Sequence, residues 1–380
     1  MSSPKPILSV CFPCYLRQAD ANETLALLRR GLSIPYEVVV VDNSPEPLEL
    51  DLQPHERLLR SGGNIGAAAR NIANREARGE FILQLDDDSN PLPGRVEPAM
   101  RLLDDSGPDI AGMTSQVVKP DRSLENTPLL PTVFHGCGVL FRKSALDVVG
   151  DLYPEDFLFY GEEYWSTLLL MSYGFVLKHM DSFRVCHRFS GEGRSKERII
   201  HKLALNNRRT WASFVPEHLA DSILAQTSRR YELVAAKEGV PDAYASAMSA
   251  PLGEGRPVRR LSDDEFACYS LLENFRALVR SGALKKDSPA LLCGCGKFPL
   301  LWAEELEERC LPQTLLTDLN PGIAGKDYCG RRVLPLEEAL ALARDGRCQP
   351  VVGHCSVGDS VKWESTLKNA GVERVVRLRI

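Results

Sequence analysis

The chain is expected to fold as α/β with two separate sheets, and three observations predict this. Strand-length apolar runs alternate with helix-like segments through the first half. Several of those runs end in acidic residues followed at once by turn signals. A second strand, Gly turn, helix and strand begin near Ser288.

Taken in order, Pro6 to Phe12 reads as a short apolar strand stopped by Pro13, and Glu23 to Arg30 as a helix carrying Leu25, Leu27 and Leu28. Tyr36 to Val41 is a β-branched run of the kind found in a parallel strand covered on both faces. It ends in Asp42, and the carboxyl ends of such strands are where open α/β sheets bind ligands. Arg60 to Gly66 is a flexible turn, and the Ala- and Arg-rich segment Ala67 to Ala77 should be helical. Phe81 to Leu85 is the next strand. It runs straight into Asp86, Asp87 and Asp88, with the turn signal Ser89-Asn90-Pro91 behind them. Three adjoining carboxylates repel one another unless a cation neutralises them, and a hard divalent ion with oxygen ligands can also hold a diphosphate. In a strand, residues i and i+2 face the same side, so Asp86 and Asp88 could share one ion.

The composition is that of an ordinary globular chain. It has 380 residues, 44% hydrophobic and 26% charged, with a formal net charge of -5 that makes no electrostatic case for nucleic acid or membrane. No apolar run reaches the roughly 18 residues of a spanning helix, and no signal-peptide core is visible, so a cytoplasmic location is expected. The eleven cysteines then read as reduced thiols. Neither Cys11/Cys14 nor Cys293/Cys295 has the setting of a zinc knuckle.

Several motifs now carry a resemblance. Pro13-Cys14-Tyr15, Val40 to Ser44, Gly63-Asn64-Ile65-Gly66 with Arg70-Asn71, and Gly79-Glu80-Phe81 leading to the Asp triplet resemble family 2 glycosyltransferases of the GT-A fold. So do His135 to Arg142 with Val149-Gly150, Phe159 to Glu163, Gly174 to Val176, and Val185-Cys186-His187. The resemblance covers roughly residues 5 to 215. Cys14 stands where the family usually has Thr, and Trp165 where a charged residue is expected.

The resemblance implies a role for each motif. Asp86, Asp88 and His187 would hold Mn2+ or Mg2+ against the diphosphate of a nucleotide-sugar, with Asp87 turned away or touching the sugar. Asp42 would bond the base or ribose, although it could equally close an Asx turn with Ser44. Pro13 and Tyr15 would shape the base pocket, Asn64 would belong to the donor side, and Arg70 would lie near the phosphates or else on a helix surface. Glu163 is the expected general base of an inverting transfer, with Glu162 the alternative. A UDP-sugar is the favoured donor, dTDP and GDP being open, and the acceptor is unknown. Arg188 to Arg209 reads as a Gly-rich basic lid leading into an amphipathic helix.

Beyond residue 216 helices are expected around Ala220 to Ala236 and Asp263 to Ser281, with a linker at Ser249 to Pro257. Ala290 to Gly296, a helix to Arg309, and a strand ending at Asp318 have Rossmann-like spacing, but Pro299 breaks the Gly fingerprint. Packing, acceptor docking or homo-oligomer formation is the expected use of this unit. The organisation is therefore a GT-A nucleotide-diphospho-sugar transferase domain (1–215), a helical connector (216–284) and a smaller Rossmann-like α/β domain (285–380). Two rivals are a nucleotidyltransferase and a non-catalytic nucleotide-sugar-binding protein. The first commonly has a Gly-rich loop with Lys after its first strand, where this chain has Cys14-Tyr15-Leu16-Arg17.

Overall fold

The computed structural model describes residues 5–125, 133–188, 195–252, 257–309, 311–354 and 356–378. These fall into two compact units, one ending at 188 and the other beginning at 195.

The first unit carries β1 (Leu8–Cys14), α1 (Gln18–Gly31), β2 (Tyr36–Asp42), β3 (Glu56–Arg60), α2 (Ala69–Glu76), β4 (Phe81–Gln84) and β5 (Ser89–Pro91). It continues through α3 (Val96–Asp104), β6 (Ile110–Val118), β7 (Val139–Arg142), α4 (Lys143–Val149), α5 (Glu162–Ser172) and β8 (Val176–His187). One eight-stranded mixed sheet results, in the order β3-β2-β1-β4-β7-β6-β8-β5. β1, β2, β3 and β4 run parallel, and β7 then pairs antiparallel with β4 and β6. The Val run of β2 is fully buried because both faces are covered. Leu8, Val10, Phe12, Val38 and Val40 join one core with Leu25 and Leu28 of α1 and with Ala99 and Leu103 of α3. On the other face α2 packs on β1 and β2.

β1 does not stop at Pro13. Its pairing with β2 runs on through Pro13 and Cys14, opposite Val41 and Asp42. Cys11 turns its backbone toward β4 and accepts from Leu85 N. Pro13, two residues on, faces the same side past the end of β4, so its missing N–H costs no ladder bond. Gly66 opens the 3-10 turn before α2 with φ 61°, and a Cβ there would stand 2.1 Å from the Leu158 carbonyl oxygen. Only glycine fits.

The second unit opens with α6 (Lys196–Phe214), α7 (Glu217–Glu238), α8 (Pro241–Ser249), α9 (Asp263–Tyr269) and α10 (Leu272–Arg280). α6, expected with the first domain, packs on α7 and α8. The run from Asp263 to Ser281 is two helices, divided at Leu271, whose φ is 66°. Residues 253–256 of the expected linker lie outside the described residues. Then come β9 (Ala290–Cys293), α11 (Pro299–Glu308), β10 (Leu315–Thr317), β11 (Asp327–Tyr328), β12 (Arg331–Leu334), α12 (Leu336–Arg344), β13 (Gln349–Val352), α13 (Val357–Asn369) and β14 (Val376–Arg377). The sheet order is β11-β12-β10-β9-β13-β14, parallel apart from β11, so the strand order reverses beside β9.

That switch point is where an open sheet would take a ligand, and here α7 supplies the partners. Gln226 Oε1 accepts from Leu300 N at the start of α11, at 3.0 Å. Tyr328 donates its hydroxyl to the Gln226 carbonyl, and Arg229 bonds the Asp327 carbonyl. The buried Lys297, inside the Gly turn, donates from Nζ to Asn207 of α6 and Tyr231 of α7. Asp318, at the ribose position of a dinucleotide fold, spends both oxygens on the backbone N–H groups of Cys295 and Asn320.

His354, after β13, is buried and its Nε2 lies 2.7 Å from the Gly294 carbonyl. Burial holds its pKa down to about 4. The imidazole is thus neutral when folded and takes up a proton on unfolding below pH 6.5. Stability from this group is complete above pH 6.5 and is lost as pH falls through 4, by up to about 3 kcal/mol. Urea melts from pH 7 to pH 4 should show His354→Gln losing that much less stability than wild type. Parallel pH profiles would refute the assignment.

Candidate active site

The acidic residues sit in a turn, not on a strand. Leu85 still bonds to β1, but Ser89 N then closes onto the Asp86 carbonyl at 3.1 Å. Ser89 Oγ accepts from Asp86 N and donates to the Cys137 carbonyl. The i, i+2 alternation expected of Asp86 and Asp88 therefore does not apply, yet the turn brings them together. Ser89-Asn90-Pro91, expected as a turn, is the short strand β5, paired antiparallel with β8 so that Ser89 faces His187. The Arg188 N–H donates to the Asp88 carbonyl at 2.9 Å, extending that ladder. This pairing delivers His187 to the acids: one ligand atom each of Asp86, Asp88 and His187 lies within 4.8 Å of the others.

Each acid already has a cationic partner. Asp86 pairs with Arg70, which is buried and also bonds the carbonyls of Leu85 and Gly136. Arg17 spans the other two, with Nη1 2.8 Å from Asp87 Oδ1 and Nη2 2.9 Å from Asp88 Oδ2. His187 stands between two acids, Nε2 3.2 Å from Asp88 Oδ1 and Nδ1 2.9 Å from Glu125 Oε2. Burial alone would lower its pKa, but these carboxylates push it up to about 10. Burial raises Asp87 to about 7, against the pull of Arg17. Asp88 is buried too, yet His187 and Arg17 hold it well below the usual carboxylate range. Asp88 Oδ1 is a buried oxygen with no hydrogen bond of proper geometry. Two carboxylates and an imidazole, which an ion would take in its deprotonated form, make a donor set that fits a divalent cation.

Glu162 and Glu163 open α5, behind Gly161 at φ 90°. Leu158 and Tyr160 also have positive φ, 59° and 69°. Left-handed backbone at two non-glycine residues is strain of the kind that collects at functional sites. Glu162 Oε2 is buried without a hydrogen bond, and burial, reinforced by the charge of Glu163, raises its pKa well above the ordinary range. Glu163 Oε1 and Arg70 Nη2 both come within 3.5 Å of the point where a Gly136 Cβ would stand. Arg70, paired with Asp86, thus also lies close enough to the two glutamates for their charges to act on it. Asn71 beside it holds the loop that leads to α5, bonding Leu152 N, Tyr153 N and the Tyr153 carbonyl. Trp165 points into the core, where its ring lies 5.4 Å from that of Phe157.

On the other expected residues the geometry is mixed. Asp42 is fully buried, and its oxygens accept from the N–H groups of Ser44 and Leu48, the Asx-turn arrangement. Asn64 is exposed and its Oδ1 accepts from Gly66 N, while Tyr15 is 39% exposed and Pro13 half-buried. Arg188, read as part of a lid, is fixed by Asn90, Thr24 and the Asp20 carbonyl. Residues 189–194 of that segment lie outside the described residues. Sequence reasoning missed Arg17 and Glu125 as site residues. Arg17 had one signal, its place four residues after the Pro13 strand end; Glu125 had none.

Residues 9–152 match the family described as Glycosyl transferase family 2. An uncharacterized glycosyltransferase of Haemophilus influenzae is 29% identical over 102 residues, which is 26% of this chain and 35% of that protein. An uncharacterized protein of Mycobacterium tuberculosis is 24% identical over 47% of this chain and 67% of its own length. Among solved structures, a mannosyltransferase from Pyrobaculum calidifontis in complex with GDP-Man and Mn2+ is 18% identical, with a TM-score of 0.42 over 81% of this chain and 86% of that one. The chain spans about a third of the length of the first of these relatives. Among the described residues no helix is long and apolar enough to cross a membrane. The matched residues carry β1 to β7 of one mixed sheet of the GT-A kind, with acids at the carboxyl ends of β2 and β4, and over this stretch the chain matches glycosyltransferase family 2.

Proposed function

We propose that this protein transfers a sugar from a nucleotide-diphosphate donor to a hydroxyl-bearing acceptor, with inversion and with the help of Mn2+ or Mg2+. One observation carries the reading: Asp86, Asp88 and His187 gather their ligand atoms in one place, and Arg70, bonded to Asp86, lies near the glutamate pair at the N-terminus of α5. A bound divalent ion would neutralise charge on the leaving diphosphate. Arg70 holds Asp86 in place from one side and faces the glutamates from the other. Glu163 takes the proton of the acceptor hydroxyl. Burial pushes the Glu162 pKa up, which disfavours it as the proton acceptor of the pair. Pro13 and Tyr15 line the base side, Asn64 flanks it, and Asp42 acts there by shaping the Ser44 to Leu48 loop. A UDP-sugar is the favoured donor, and the second unit is a packing or docking domain.

Thermal shifts against a nucleotide panel test this reading. UDP with Mn2+ should raise the melting temperature more than UDP alone, since a ligand at a hundredfold excess over its Kd stabilises by about 2.7 kcal/mol. No shift with any nucleoside diphosphate, with or without the ion, would overturn the donor site.

A further inference from the structure

The three carboxylates of the acidic turn are not held alike. Asp86 belongs to Arg70, whose guanidinium is buried and anchored to two backbone carbonyls. Asp87 and Asp88 share Arg17, whose side chain is 30% exposed and whose three bonds all go to carboxylates, the third to Asp20 Oδ2 at 3.0 Å. Arg17 follows Leu16, an exposed residue at φ 58°, and stands just ahead of α1 without capping it. One face of Asp88 is therefore taken by a solvent-reaching guanidinium, while its other oxygen turns to His187.

A cation that draws on Asp88 must share that carboxylate with a positive charge 2.9 Å away. Like charges at such a distance repel, and each carboxylate oxygen has few lone pairs to give. We infer that Arg17 is the ion's internal competitor: it neutralises Asp87 and Asp88 when no ion is bound and leaves them when one arrives. Its released guanidinium then stands at the mouth of the site with its fork free, matched to the phosphates of the incoming donor. Metal and donor thus bind in a coupled way, because the ion frees the arginine that the diphosphate needs. This rests on the reading of Asp86, Asp88 and His187 as ion ligands.

The test is Mn2+ binding to the full chain, followed by the loss of the free-ion electron paramagnetic resonance signal. Arg17→Gln in nucleotide-free protein should bind Mn2+ about tenfold tighter than wild type, the size of effect expected on removing one close charge. Arg17→Lys keeps the charge without the fork and should stay near wild type for Mn2+. Adding UDP should tighten Mn2+ binding to wild type more than to Arg17→Gln, and in turnover the Gln variant should show a raised donor KM. Equal or weaker Mn2+ binding by a natively melting Arg17→Gln would make Arg17 a brace for Asp88 and overturn the inference alone. Absence of Mn2+ binding in wild type and both variants would overturn the ion-ligand reading itself, and the inference with it.

Discussion

Replacing Asp88 with alanine should abolish ion-dependent turnover and the part of nucleotide binding that Mn2+ assists, while the fold survives. Asp88 is the one carboxylate of the donor set with an oxygen on each side of the site, one toward His187 and one toward Arg17. Its loss leaves Asp86 and His187 alone, too few protein ligands to hold the ion against water. Neither former partner becomes an isolated buried charge, because His187 keeps Glu125 and Arg17 keeps Asp87 and Asp20. That is why the penalty of a broken buried pair should stay small here. Turnover titrated with Mn2+, alongside a thermal melt, separates the two effects. A variant with wild-type kinetics and unchanged ion dependence would sink the assignment.

Glu163→Gln should lower kcat by about a hundredfold to ten-thousandfold, the usual cost of removing a general base. Donor affinity should barely move, because the ion and phosphate contacts lie at the acidic turn. Glu162→Gln sharpens the test. Burial and the neighbouring charge push the Glu162 pKa upward, toward the neutral form, and glutamine has the shape of a protonated carboxyl group, so that variant should be close to wild type. The product of an α-linked donor should be β-linked by NMR. Retention of configuration would remove the need for a base, and a dead Glu162→Gln beside an active Glu163→Gln would move the role one residue.

Much of the first sheet was legible because its strands are short apolar runs with punctuated ends. The Val run of β2 could hardly be anything but a strand covered on both faces, and three acids after Leu85 announced a site. What stayed hidden depends on pairing between distant segments. Arg17 meets Asp87 across 70 residues and His187 meets Glu125 across 62. No local pattern encodes either. Local rules also misled in two places for physical reasons. Pro13 breaks a strand only where its N–H would have had a partner, and Ser89-Asn90-Pro91 reads as a turn until β8 pairs with it. In the second unit Asp318 has the spacing of a ribose-binding acid, but spacing is blind to the two backbone N–H groups that occupy it.

The partnership of α7 with the Gly turn of the second sheet has a consequence in time. Tyr231 is synthesised 66 residues before Lys297, and Asn207 is synthesised 90 residues before it. At about 5–20 residues per second that is a wait of several seconds on the ribosome. Through this interval the Tyr231 phenol and the Asn207 amide can bond each other but still lack the Lys297 amine, and Gln226 has no helix end to cap. The helical stretch after residue 195 thus emerges before the sheet that completes it, and its polar side chains become an interior only when translation passes the Gly turn.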